Sequence, residues 1–339
     1  MKNKILNIFV VETRFQINSI KDFLNTLEGY NYLVISEPVY LNEKDLMDEV
    51  ITFKPFEYSL SKIIPHFKSI KSTLNKIYSK CSEFDTINIF FAHELSIIAN
   101  NLVNYSKNKL PEKKIILNLI PDGTTSFSKD PVIGKLKLSV NTKKYLGLLF
   151  GIKFKVPQDF IFNQERIDKV HNYYTYVPEL SRSVFDIKGN LVKINKSHNL
   201  NFTPDEGSCL ILGQLLDDLI GVNEMKKFSE KFSEYILKQN YNIIYYKKHR
   251  VKSVMDDFAK NNGFEFVNNN LSVEELIESG VIKSKNIYSF CSSALFNIKL
   301  FYGDKFNCYA YGLETLKKRD ELSMTQVENA YKIVGVNII

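Results

Sequence analysis

Short apolar runs alternate along the chain with longer stretches in which apolar residues recur every three or four positions. A run apolar on both faces reads as a strand buried in a parallel sheet, and the three-to-four spacing reads as a helix covering it. "ILNIFVVE" predicts a first strand. "INSIKDFLNTLEG" follows with Ile17, Ile20, Phe23, Leu24 and Leu27 on one helical face and a glycine stop at Gly29. "YNYLVIS" is a second strand, and "YSLSKIIPHFKSIKSTLNKIYSKC" a helical stretch predicted to be interrupted at Pro65. "DTINIFFAH" with "ELSIIANNLVNYSKN" repeats the strand-helix pair, and "KKIILNLIPDGTTSF" runs from strand into loop. This alternation predicts an α/β protein with helices on both faces of a parallel sheet.

Residues 130–200 are less regular, with a helix expected over "KLKLSVNTKKYLGLLFGIKF" and a mixed segment after it. The turn-rich "NLNFTPDEG" reads as a boundary, after which the pattern restarts. Strands are expected in "SCLILG", "YNIIYYKKH", "FEFVNN", "NIYSFCSSALF" and "KFNCYAY", with helices between them. A chain of 339 residues exceeds what one hydrophobic core usually serves. Two Rossmann-like βαβ domains facing a cleft are therefore expected, residues 1–200 and 201–339.

Charge narrows the function classes. The net charge is +7, yet "KKHR", "LKKRDE", "PEKK" and "KSIKSTLNKIYSK" are dispersed rather than gathered into one basic arm. Such a surface suits an anionic substrate or an anionic membrane face, and no nucleic-acid motif with interleaved aromatics accompanies it. The four cysteines, Cys81, Cys209, Cys291 and Cys308, have no metal-ligand spacing and read as reduced thiols. The apolar run near the N-terminus meets Glu12 and Arg14 too soon for a signal peptide, so a cytoplasmic protein is expected. The abundance of Ile, Asn, Lys, Phe and Tyr, with no Trp, reads as base composition and carries no functional signal.

Four places could hold chemistry. Ile243–Tyr246 runs into Lys247, Lys248, His249 and Arg250, a cationic turn at a strand's C-terminal end, where α/β proteins bind anions. A solvated surface histidine is the simpler account of it. "CSSALF" places Ser292 and Ser293 before an apolar helix, either an ordinary N-cap or an anion cradle. In "LSVEELIESG", Ser272 and Glu275 match a capping box, which leaves Glu274 either solvated or free for a ligand. "LIPDG" delivers Asp122 and Gly123 from a strand, as a turn or as a carboxylate placed to take a proton.

The order of these four resembles the bacterial sialyltransferases of the GT-B type, the lipooligosaccharide sialyltransferase group most closely. That family has an acidic-acidic-Gly motif, a strand ending in a His motif, a helix opening with Glu, and a Ser-Ser pair opening another. The matching positions are Asp122-Gly123, His249, Glu274 and Ser292-Ser293. Thr13 and Gln16 in "VETRFQINSI" are similar to its first turn, and Gly213-Gln214 in "LILGQLLDD" to its Leu-Gly-Gln turn. Pro121 stands at the first acidic position, and Arg250 at the proline that usually follows the histidine. A literal "DEG", Asp205-Glu206-Gly207, precedes a strand instead of following one and is not expected to be the motif.

The resemblance implies transfer of sialic acid from CMP-sialic acid to a sugar hydroxyl of a lipooligosaccharide or capsule, with inversion and with neither cofactor nor metal ion. It gives His249, with Lys248 or Arg250, and Ser292 and Ser293 to the leaving phosphate, Glu274 to the ribose, Gln214 to the nucleotide side, and Thr13 and Gln16 to the acceptor side. The general base stays open between Asp122 and Asp217 (or Asp218). It also implies a homodimer, and the basic surface suits a peripheral place on the inner membrane. Other readings are a transferase for another CMP-activated nonulosonic acid or Kdo, a GT-B enzyme or epimerase using UDP sugars, and a non-catalytic binding protein of the same fold.

Overall fold

The computed structural model describes residues 3–36, 47–54, 60–123, 134–157, 164–195, 200–249, 252–267 and 271–339. The chain forms two compact units, Met1–Asp122 with Lys129–Asn195, and Gly123–Ser128 with Lys196–Ile339.

In the first unit the order is β1 (Ile5–Val11), α1 (Arg14–Leu24), β2 (Tyr30–Ser36), β3 (Glu49–Phe53), α2 (Leu60–Ser82), β4 (Thr86–Phe91), α3 (Ile97–Lys109) and β5 (Lys114–Leu119). Then come α4 (Gly134–Leu149), α5 (Gln164–Ile167), β6 (Asn172–Thr175), α6 (Pro178–Val184) and β7 (Asn190–Lys193). All neighbouring strands are parallel, in the order β3-β2-β1-β4-β5-β6-β7. Chain order thus reverses between β1 and β4. β1 is buried on both faces by Leu6, Ile8, Phe9, Val10 and Val11, as an apolar run broken only by Asn7 requires.

The second unit runs β8 (Asp205–Leu212), α7 (Asp217–Ile220), α8 (Val222–Leu237), β9 (Ile243–Lys247), α9 (Val254–Asn261), β10 (Glu265–Phe266), α10 (Val273–Glu278) and β11 (Ser284–Ser289). It ends with α11 (Ser293–Tyr302), β12 (Asn307–Ala310), α12 (Leu313–Lys317), α13 (Glu321–Val334) and β13 (Asn337–Ile338). Its parallel sheet has the order β10-β9-β8-β11-β12-β13, reversing between β8 and β11. α8 shows why such sequences become covering helices. Its buried positions Met225, Phe228, Ser229, Phe232, Ser233 and Ile236 follow a three-and-one spacing that makes a single stripe.

The α/β class and both Rossmann-like sheets agree with the sequence pattern, but details differ. α2 passes through Pro65 without interruption, since a proline this near the N-terminal end removes one intrahelical bond and leaves the helix beyond it intact. β3, β6, β7 and β13 went unpredicted because they are short and carry polar residues. Asp205-Glu206-Gly207 forms the start of β8, at the opposite end of the strand from the site edge.

The asparagines have a structural role that composition concealed. Asn31, Asn7 and Asn88 lie in register across β2, β1 and β4. Asn7 Nδ2 donates to Asn31 Oδ1 at 2.9 Å, and Asn88 Nδ2 donates to Asn7 Oδ1 at 2.7 Å. Asn118, Asn172 and Asn190 form a second row across β5, β6 and β7, with bonds of 2.7 and 3.2 Å. A carboxamide carries both donor and acceptor, so each residue passes the chain of bonds to the next strand, and a shift of register breaks it. Asn7 is fully buried and also donates to Glu28 O at 3.0 Å. Asn7→Ala should therefore leave Asn88 Nδ2 and Asn31 Oδ1 unpaired and destabilise the first unit by about 2–4 kcal/mol. A thermal melt should show a clear fall in Tm, and an unchanged Tm would remove the ladder's structural role.

Candidate active site

In the first unit, β1 delivers Glu12 and Thr13 to the carboxyl end of the sheet. Thr13 and Gln16 then cap α1 reciprocally. Gln16 N donates to Thr13 Oγ1 at 3.3 Å, while Gln16 Oε1 accepts from Glu12 N at 2.7 Å and Thr13 N at 3.3 Å. The other end of the same carboxamide, Nε2, donates to Asp122 Oδ1 at 2.6 Å. The residue that starts the helix therefore also holds a carboxylate delivered by β5.

Asp122 meets a second group that sequence reasoning missed. His93 follows β4, and its Nδ1 accepts from Leu95 N at 3.3 Å. That bond leaves Nε2 as the ring nitrogen bearing the proton. His93 Nε2 lies 3.7 Å from Asp122 Oδ2 and 3.9 Å from Glu12 Oε2, and all three side chains are less than a third exposed. The interaction at this range is electrostatic, beyond hydrogen-bond length. Gly123, next in the chain, has φ +58°, a left-handed turn that suits glycine.

A cavity of about 240 Å³ adjoins these groups, lined among others by Glu12, His66, His93, Ser96 and Lys143. Lys143 Nζ donates to Leu95 O at 2.8 Å. Burial lowers the pKa of this ammonium, and Glu12 partly offsets that.

In the second unit, Gln214 follows β8. Its Oε1 accepts from Phe290 N at 3.1 Å and Cys291 N at 2.8 Å, and lies 3.0 Å from Ser289 Oγ. Its Nε2 lies 3.6 Å from Cys291 Sγ. Gln214 thus braces the turn that carries Ser292 and Ser293. Burial raises the Cys291 thiol pKa to about 11, so it is an inert neighbour of that turn. Ser292 is the N-cap of α11, its Oγ accepting from Ala294 N at 3.3 Å, and Tyr331 Oη donates to Ser292 O at 2.8 Å. Ser293 is the first helical residue and is exposed.

Ser272 and Glu275 form the expected capping box. Glu274, by contrast, is buried, and its Oε1 accepts from Asn297 Nδ2 of α11 at 2.9 Å. Lys248 and His249 follow β9 and are exposed, with Lys248 Nζ over the Phe266 ring at 4.7 Å. Arg250 lies outside the described residues, as does the side chain of Asp218. Both carboxylate oxygens of Asp217 are buried with no hydrogen-bond partner among the described residues. The structure thus gathers Gln214 and the Ser292 turn, ties Glu274 to the same helix, and leaves Lys248 over a ring.

Gly213 explains how β8 and β9 close together. Its N–H donates to Lys247 O at 2.9 Å, and a Cβ there would lie 2.4 Å from Tyr246 Oη and 3.2 Å from His249 N. Tyr246 is fully buried and donates to Asp256 Oδ1 at 2.8 Å. Gly213→Ala should push the tyrosine off Asp256 and move the His249 backbone, destabilising the second unit by about 2–3 kcal/mol. A Tm within experimental error of wild type would show that this approach is not constrained.

Among the described residues no helix is long and apolar enough to cross a membrane. The sequence matches none of the curated proteins. The fold is shared over its whole length with the alpha/beta-galactoside alpha-2,3-sialyltransferase of the luminous marine bacterium Photobacterium phosphoreum, at TM-score 0.56 and 13% identity, covering 99% of each chain. The UDP-GlcNAc 2-epimerase of Methanocaldococcus jannaschii is also similar, at TM-score 0.50 and 10% identity, covering 97% of this chain and 92% of that one. At these identities the likeness shows the fold, that of the GT-B glycosyltransferases. The model of the alpha-2,8-polysialyltransferase family matches residues 7–310, most of the chain, and the protein therefore belongs to that family of CMP-sialic-acid-dependent glycosyltransferases.

Proposed function

We propose that the protein transfers sialic acid from CMP-sialic acid to a sugar hydroxyl of a bacterial surface glycan, lipooligosaccharide or capsule, by one inverting displacement that needs no metal ion. The observation that supports this most is Asp122, fixed on one oxygen by Gln16 and faced on the other by His93 at the carboxyl end of a parallel sheet. A carboxylate held in this way, with little freedom to rotate, suits a general base.

In this reading the first unit receives the acceptor, with Thr13 and Gln16 shaping its entrance, and Asp122 takes the proton of the attacking hydroxyl. The new bond forms to the anomeric carbon as the bond to the CMP phosphate breaks from the opposite face, which inverts configuration. The second unit holds the nucleotide. His249 gives the leaving phosphate a proton or a hydrogen bond. The N-terminus of α11 stabilises the same charge through the hydroxyls of Ser292 and Ser293 and the helix dipole. Gln214 acts here by fixing that turn, and Glu274 by orienting α11 through Asn297 or by meeting the ribose. The protein works as a homodimer in this reading, and a peripheral place at the cytoplasmic face of the inner membrane fits the net charge of +7.

Release of CMP from CMP-sialic acid, followed with and without sugar acceptors, tests the reading. Asp122→Asn and His249→Ala should each lower transfer by about 10²–10⁴-fold with Tm unchanged. Asp217→Asn should keep transfer near wild type, and the reverse pattern would move the base to Asp217. Dialysis against EDTA should leave the rate unaltered. Competition by UDP in preference to CMP, or absence of CMP release by wild type, would overturn the assignment. Release from CMP-Kdo or another CMP-nonulosonic acid in preference to CMP-sialic acid would replace the donor sugar.

A further inference from the structure

α4 is apolar on two opposite sides, and the core of the first unit takes up only one of them. Val140 and Gly147 are buried on the inner side. Phe150, just past the helix, stacks on Phe67 of α2 with ring centroids 5.4 Å apart. On the outer side Leu138, Tyr145 and Leu149 share one helical face and are 69%, 64% and 78% exposed, with Leu148 beside them at 54%. A single exposed leucine needs no explanation, but four large apolar side chains exposed on one helix mark a contact surface.

The charge around this stripe has one sign. Neither α2 nor α4 contains an aspartate or a glutamate, whereas lysines recur along both. Lys137 is exposed on α4, and Lys144 Nζ lies 5.6 Å from the centroid of the Tyr145 ring. On α2, Lys68 and Lys71 share an exposed face with Ile64. Lys71 Nζ lies 3.7 Å from where a Cβ on Gly151 would stand, so this cationic row borders the C-terminal end of α4.

The combination selects the partner. A second copy of the chain would set lysines against lysines, which costs affinity. A soluble polyanion would match the lysines and leave the leucines in water. A bilayer with anionic headgroups matches both, since the leucines and the tyrosine ring enter the acyl boundary while the lysines remain at the phosphates. The stripe from Leu138 to Leu149 extends about 16 Å along the helix axis, the geometry of a helix lying in the interface plane.

We propose that the outer face of α4, with Lys68 and Lys71 of α2, is the surface by which the protein docks on an anionic lipid bilayer. Lys143, on the other side of α4, lines the cavity beside His93, so one helix stands between the bilayer and that cavity. The proposal gives a defined face to the peripheral place in the sialyltransferase reading, and it rests on this surface and not on which sugar is transferred.

The chain has no tryptophan, so one introduced into the stripe reports its own surroundings alone. Leu149→Trp should show a blue-shifted emission on vesicles of equal parts phosphatidylcholine and phosphatidylglycerol, and little shift on phosphatidylcholine alone. In sedimentation with the same anionic vesicles, Leu138→Glu combined with Leu149→Glu should weaken binding by about 10–100-fold. Its Tm should equal that of wild type, because both positions are exposed. Lys68→Gln combined with Lys71→Gln should weaken binding by about 10–30-fold. Absence of the blue shift on anionic vesicles, or equal sedimentation of the leucine variant and wild type, would overturn the proposal. Binding lost in the lysine variant and intact in the leucine variant would make the face a site for soluble polyanions. A dimer that the leucine variant converts to monomer, seen by light scattering without lipid, would make it a contact between copies. Either result would overturn the lipid assignment. CMP release without vesicles should be unaltered in the leucine variant. Its absence in wild type would defeat the sialyltransferase reading, while stripe-dependent vesicle binding would still establish the docking face.

Discussion

The reversal of strand order in each sheet is the constraint on which the rest depends. Crossovers that run right-handed from β1 toward β2 and from β4 toward β5 lie on opposite faces, so the loops leaving β1 and β4 diverge. The gap they leave at the carboxyl edge cannot be filled by the strands' own side chains. Glu12 leaves from one side of this gap in the first unit and His93 from the other. In the second unit Gln214 follows β8 and the Ser292 turn follows β11, again on either side of the reversal. The candidate chemistry thus sits where parallel topology leaves room for a ligand.

Each gap is bridged by a glutamine. Gln16 uses its oxygen on the backbone N–H groups of Glu12 and Thr13 and its nitrogen on Asp122. Gln214 directs its oxygen to the N–H groups of Phe290 and Cys291. In both cases a neutral side chain with donor and acceptor satisfies polar groups where the loops diverge, and in doing so fixes a residue of the proposed site. An Ala at either position would leave N–H groups unsatisfied and allow the attached turn to rotate. The glutamines fix the groups they hold, and it is those groups that the proposed chemistry uses.

Legibility in the sequence followed burial and span. β1, β2, β4, β5 and β8 were readable because a strand buried on both faces is a largely apolar run, in which a single asparagine does not hide the pattern. β3, β6 and β7 were not, because at or near a sheet edge a short strand is stabilised by pairing more than by its own apolar content. Asp122, Gln214, Glu274 and Ser292 could be found by their place after a strand or before a helix. The same criterion applied to "FAHELS" would have found His93 and Ser96. Lys143 offered no signal, since it enters the site from the middle of α4 and its meaning arises from what packs against it. The asparagine rows were hidden for a related reason. They depend on which residues stand opposite one another across strands far apart in the sequence, a property of register that composition cannot express.

Pro121 stands where an acidic residue would be expected, and the fold brings a carboxylate near Asp122 from another strand. The resemblance leads one to expect an acidic residue there, and a reading confined to that segment leaves Asp122 without an acidic neighbour. The structure supplies Glu12 from the end of β1, on the other side of His93, at 3.9 Å from the same Nε2 that lies 3.7 Å from Asp122. His93 Nε2 thus faces two carboxylates from different strands, both beyond hydrogen-bond length, so what links the three groups is their electrostatic field. Two adjacent residues on one loop and two residues from separate strands can meet the same electrostatic requirement, provided the strands end at the same edge. The parallel sheet guarantees that they do.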